Sequence, residues 1–194
     1  MRRILAAIAG SALLFSACKD KASAAPDGKQ KAASLSIPEP VLSVPDTFKA
    51  ALGKVLEGYS QIQGALAQDD FAKAKEAFSS MHAVLHMMPK DGLEPAAKAY
   101  WDSTDTRIMS ILHPMASAET LEATRTYFMD FTLVLVDVIE KLGVGGEGPV
   151  YQFRCPMARE NKGADWLQGD SILANPYYGK SMPKCGEFIR KLKS

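Results

Sequence analysis

The residues best equipped for chemistry in this chain are sulfur donors near the C-terminus. Cys155 and Met157 stand two residues apart, and Met182 and Cys185 stand three apart. Thiolate and thioether sulfurs are soft ligands that select Cu(I) over harder ions, so two of each make a candidate soft-metal set. A two-residue step brings Cys155 and Met157 together in an extended or turn segment, and a three-residue step does the same for Met182 and Cys185 on one helical turn. Neither spacing is diagnostic in the way that paired Cys-x-x-Cys motifs are. The same two cysteines can instead close a disulfide across a loop of about 30 residues, which loop entropy values at roughly 3–4 kcal/mol. Both readings stay open at the level of sequence.

A second donor set lies in Met81-His82-Ala83-Val84-Leu85-His86-Met87-Met88, where His82 and His86 stand four apart on one side of a helix, a spacing that can bind a metal. Met81, Leu85 and Met88 centre on the core face, the two histidines lie toward its border and Met87 points away. Met81 and Met88 are therefore expected to be packing. His113, the third of three histidines, flanks Pro114. An up-down helix order puts the last turns of the second and third helices at opposite ends, so His113 is expected to lie apart from His82 and His86.

Other chemistry has little support. Neither a nucleophile with a general base, nor His-Glu-x-x-His, nor a pair of carboxylates in an apolar setting stands out, and the expectation is that the chain is not an enzyme. Gly145-Gly146-Glu147-Gly148 has no expected strand before it and no Lys-Ser/Thr after it, so it reads as a hinge and not as a phosphate loop. Lys and Arg number 23 against 22 Asp and Glu; this balance, without a basic stripe, argues against nucleic acid as a partner. Trp166, Tyr177 and Tyr178 can stack on a ligand, but burial against the helices is the plainer expectation.

The elements that must position these residues are helical. Phe48, Leu52, Val55, Leu56, Tyr59, Ile62 and Leu66 recur at three- and four-residue steps after Asp46, which marks an amphipathic helix. A second starts at Asp69 or Asp70 and breaks at Pro89 and Gly92. A third opens at Pro95, a first-turn proline, and ends at Pro114. A fourth is capped by Ser117 and stopped by Gly143. The expected fold is all-α, an up-down four-helix bundle over residues 46–142. Residues 143–194 follow as an irregular Cys/Met segment packed on the bundle and ending in a short helix at Phe188–Leu192.

The N-terminus reads as a targeting segment. Arg2 and Arg3 precede an apolar and small-residue run from Ile4 to Phe15, too short to span a bilayer, which takes about 20 apolar residues. Phe15-Ser16-Ala17-Cys18 resembles a bacterial lipobox, which implies removal of residues 1–17 and lipidation at Cys18. Lys19 after that cysteine then favours the outer membrane. Residues 18–45, rich in Lys, Ala, Ser and Pro, are expected to form a flexible tether.

The C-terminal motifs carry a further resemblance. Cys155-Pro156-Met157-Ala158, Gly163-x-x-Trp166-Leu167, Asn175-Pro176-Tyr177-Tyr178-Gly179 and Met182-x-x-Cys185-Gly186 together resemble an uncharacterised bacterial periplasmic domain family. That family also occurs fused to the C-terminus of periplasmic adaptor subunits of copper/silver efflux pumps. The resemblance implies an envelope location, a link to soft-metal handling and efflux or metal-trafficking proteins as partners. Where relatives carry His near the first cysteine, this chain has Phe153 and Arg154. Two readings follow: a periplasmic lipoprotein that binds Cu(I) or Ag(I) for buffering, delivery or efflux support, or a metal-free, disulfide-stapled helical module that docks on another envelope protein.

Overall fold

The computed structural model describes residues 40–193. The expected signal segment, Cys18 and most of the expected tether lie outside the described residues.

Four helices carry the fold: α1 (Asp46–Ala67), α2 (Phe71–His86), α3 (Pro95–Ala116) and α4 (Leu121–Leu142). Their apolar stripes meet in one core containing Phe48, Tyr59, Trp101, Phe128 and Phe131, each fully buried. α1 pairs with α2 and α3 with α4. Caps account for several boundaries. The Asp70 carboxylate accepts from the Lys73 backbone N–H and starts α2, Pro95 opens α3, and Gly143 ends α4 at a positive φ of 71°. Thr120, not Ser117, caps α4 through a bond from the Ala123 N–H. Pro114 does not stop α3, which runs on to Ala116. The packed chain also begins earlier than the expected tether allows. Leu42 N–H donates to the Lys141 carbonyl at 2.8 Å, and Val44 is buried.

The largest departure is at the C-terminus. Residues 150–193 are not an irregular segment with a final helix; they build a three-stranded antiparallel sheet of β1 (Val150–Cys155), β2 (Ala164–Gln168) and β3 (Glu187–Lys193), in the order β2-β1-β3. Phe188–Leu192, expected as a helix, lies within β3 and pairs with β1, with Phe188 opposite Phe153 and Arg190 opposite Gln152. Phe188 and Leu192 stand four apart, a spacing that one face of a helix and one face of a strand both satisfy, and pairing with β1 settles the choice. β1 is central, so Gln152 is buried yet satisfied: its amide donates to Asp165 at 2.6 Å and its oxygen accepts from Arg190 at 2.8 Å.

Tyr59 fastens this sheet to the bundle. Its ring stacks on Phe128 at 4.6 Å, its hydroxyl hydrogen-bonds Thr132 at 2.8 Å, and the same oxygen accepts the Leu167 N–H of β2 at 3.1 Å. Burial pushes its phenol well above the ordinary range, so it stays a neutral hydrogen-bonding group. The glycine run is not a free hinge: Gly145 N–H donates to the Lys49 carbonyl at 2.8 Å, and a Cβ at Gly145 would lie 2.8 Å from the Lys49 backbone.

Candidate functional site

The C-terminal motifs converge on one corner of the sheet. Cys155 is the last residue of β1 and is fully buried. Met157 follows after the turn made by Pro156. Cys185 sits just before β3 and is partly exposed. Its Sγ lies 3.7 Å from Cys155 Sγ and 3.9 Å from Met157 Sδ. Three of the four sulfurs singled out by type therefore form a cluster, although 30 residues separate the two cysteines. Both cysteines are free thiols. Met182 joins through the backbone, where the Cys185 N–H donates to its carbonyl at 3.1 Å, and its side chain stands at the rim, 37% exposed.

A scaffold of backbone hydrogen bonds holds the cluster. Asn175 is fully buried. Its amide donates to the Cys185 carbonyl at 2.6 Å, its side-chain oxygen accepts from the N–H groups of Tyr177 and Tyr178, and its own N–H donates to the Pro183 carbonyl. Tyr178 donates its hydroxyl to the Met157 carbonyl at 2.9 Å. Behind the cysteines, Trp166 stacks on Phe153 at 5.4 Å and meets Tyr177 edge-on at 6.2 Å. Gly186 passes so close to this wall that a Cβ there would lie 2.4 Å from the Trp166 ring. Trp166 and Tyr177 are buried, and Tyr178 is half-buried.

A second knot ties this corner to the helices. Arg125 of α4 donates to Asp69 at 2.6 Å, to the Leu66 carbonyl at 2.8 Å and to the Pro176 carbonyl at 2.7 Å. Asp69 also accepts the Lys180 N–H at 3.0 Å. The hydrogen bond from Arg125, followed by that from Lys180, holds the Asp69 carboxyl below the usual carboxylate range. Gly179, at φ 50°, leaves no room for a Cβ beside Asp69.

Residues 55–146 match the model of a family described as "Protein of unknown function (DUF3347)". The DUF3347 match starts within α1 and ends in the glycine run, so it covers the helices and stops before the motif-bearing segment. No curated protein and no solved structure matches the chain.

Electrostatics at the cluster follow from burial. Desolvation, and then the neighbouring Cys155 thiol, push the Cys185 thiol up, so a cation that binds there must displace a proton. The cluster opens to solvent on the Met157 side, where that residue is 39% exposed. Neither Phe153, buried against Trp166, nor Arg154, paired with Asp165 at 2.7 Å, supplies a neutral nitrogen ligand. Among the described residues, no three His, Cys, Asp or Glu side chains stand in a ready-made metal-binding group, so any metal set at this corner depends on methionine.

The histidines are arranged differently from expectation. His82 and His86 meet edge to face at 4.4 Å between ring centroids, and His113 lies 6.0 Å from His82. His113 is therefore not held apart. Lys75 of α2 donates to the Ala116 and Ala118 carbonyls at the end of α3, which sets α3 alongside the body of α2 and not only its last turn. Met81 is buried within α2 as its helical phase requires; Met87 and Met88 lie just past the end of the helix, Met88 buried and Met87 74% exposed.

Proposed function

We propose that this chain is an envelope lipoprotein that binds a soft monovalent ion, Cu(I) or Ag(I), for buffering, delivery or efflux support. Cys155, Cys185 and Met157 are the ligands, with Met182 as a further thioether at the rim. The observation that carries this reading is the sulfur spacing. Sulfurs that share one ion at bond lengths of about 2.3 Å stand roughly 3.7–4.0 Å from one another in tetrahedral or trigonal geometry, and the separations of Cys185 Sγ from Cys155 Sγ and Met157 Sδ are 3.7 and 3.9 Å. Thiolates supply charge and most of the affinity, whereas a thioether adds softness without charge.

The half-open position suits transfer more than permanent storage. Cys155 and the Trp166 wall close one side, and the exposed methionines leave the other side free for an incoming ligand. A partner that trades sulfur ligands could take the ion there without unfolding the site. Efflux or metal-trafficking envelope proteins are the fitting partners, and the reading includes no catalytic step. Export and lipidation at Cys18 rest on the N-terminal sequence. No described helix is long and apolar enough to cross a membrane.

The close thiols also support the second reading, in which Cys155 and Cys185 join as a disulfide that staples the corner of a metal-free docking module. Cu(I) titration of the reduced protein against a competing chelator separates the two. The metal reading requires uptake of one ion and weaker retention in Met157→Leu at nearly unchanged stability without the ion, since that swap conserves volume. Absence of uptake by the reduced protein would leave only the staple.

A further inference from the structure

The histidine cluster lies on the α2/α3 face, whereas the sulfur cluster belongs to the sheet, which packs on α1 and α4. We propose that His82, His86 and His113 form a second, nitrogen-based site for a divalent ion of borderline softness, of the Zn(II), Ni(II) or Cu(II) class. This site is independent of the sulfur reading.

The helix geometry explains why His82 meets both other rings. Taking Lys75 against Ala116 as the register mark, His82 lies seven residues along α2, about 10.5 Å, while His113 lies three residues back along α3, about 4.5 Å. The Cα atoms are thus offset by about 6 Å along antiparallel axes. Helical side chains lean toward their own N-terminus, which tilts His82 and His113 toward each other and closes that offset. His86 is one turn beyond His82 on the same side of α2 and completes the group.

Imidazoles that share one ion through bonds of about 2.0–2.1 Å place their ring centroids roughly 4.5–5.5 Å apart. The observed 4.4 and 6.0 Å bracket that range. The donor atoms do not yet converge on one point, but His86 and His113 are exposed and free to turn about their side-chain torsions. His82 supplies the fixed anchor. Its ring stacks on Phe78 at 5.6 Å, and its Nε2 is shut off from solvent with no hydrogen-bond partner among the described residues. A buried polar atom without a partner is unfavourable, and a metal bond would satisfy it. Three nitrogens leave a fourth position for water, as in open zinc sites.

The test uses the untagged chain, whose only histidines are these three. Zn(II) is titrated to two equivalents while the histidine ring ¹⁵N resonances are followed, so that ions taken by sulfur do not obscure the readout. The expected result is a joint shift of all three rings with a single binding isotherm, and at least a tenfold loss of affinity in His113→Ala. Rings that do not respond would overturn the proposal. So would a response of His82 and His86 alone with wild-type affinity in His113→Ala, which would reduce the site to an i,i+4 pair.

Discussion

The Asn175 side-chain amide donates to the Cys185 backbone carbonyl at 2.6 Å, so a fully buried residue ten positions upstream sets where the second thiol stands. Asn175→Ala removes that bond and also the acceptor used by the Tyr177 and Tyr178 N–H groups. Leaving such buried groups unpaired costs about 1–3 kcal/mol each. Denaturant unfolding is expected to show a loss of about 2–4 kcal/mol. Loss of a residue that orients a ligand is also expected to lower Cu(I) affinity about 10–100-fold.

Asp69 gives the fold a dependence on acid. Its carboxyl is held low by Arg125 and Lys180, so its contribution is fully present above the unfolded carboxylate value of about 3.9 and disappears as pH falls through the lower folded value. Urea unfolding of wild type and Asp69→Asn at pH 7 and pH 3 measures this. Wild type is expected to be the more stable at pH 7, and the gap is expected to shrink at pH 3. A gap of equal size at both values would show that the carboxylate charge does not carry the contact.

Gly186 links the Met-x-x-Cys-Gly motif to the aromatic wall. A Cβ at this position would meet Trp166 at 2.4 Å and the Arg154 carbonyl at 3.3 Å. Gly186→Ala is expected to destabilise by about 1–3 kcal/mol through overpacking and to change tryptophan fluorescence. Unaltered stability and emission would mean that the wall yields without cost.

Membrane attachment has its own test. Cys18→Ser is expected to release the protein from the membrane fraction of cells, because the cysteine directly follows the small residues that end the apolar run. Retention in that fraction would remove the anchor.

The four helices were legible because each spans 16 to 22 residues, long enough for a 3.6-residue period to declare itself. The sheet was not. β1 reads Val-Tyr-Gln-Phe-Arg-Cys, and as the central strand it buries Gln152 alongside Val150, Phe153 and Cys155, so no clean alternation exists to be read. Sulfur type and motif content identified Cys155, Met157 and Cys185, but their meeting depends on β1 and β3 pairing across a long loop, which local periodicity does not encode. The same limit applies to His113. Helical phase places a residue on a face, whereas the sliding register of α3 on α2 is set by tertiary contacts such as Lys75 with Ala116.

The sulfur cluster is tested most directly by X-ray absorption at the copper edge on reduced protein loaded with one equivalent of Cu(I). The account predicts a first shell of sulfur alone at about 2.3 Å, with one scatterer fewer in Met157→Leu than in wild type. A first shell of nitrogen or oxygen, or a sulfur count that is the same in both proteins, would contradict it.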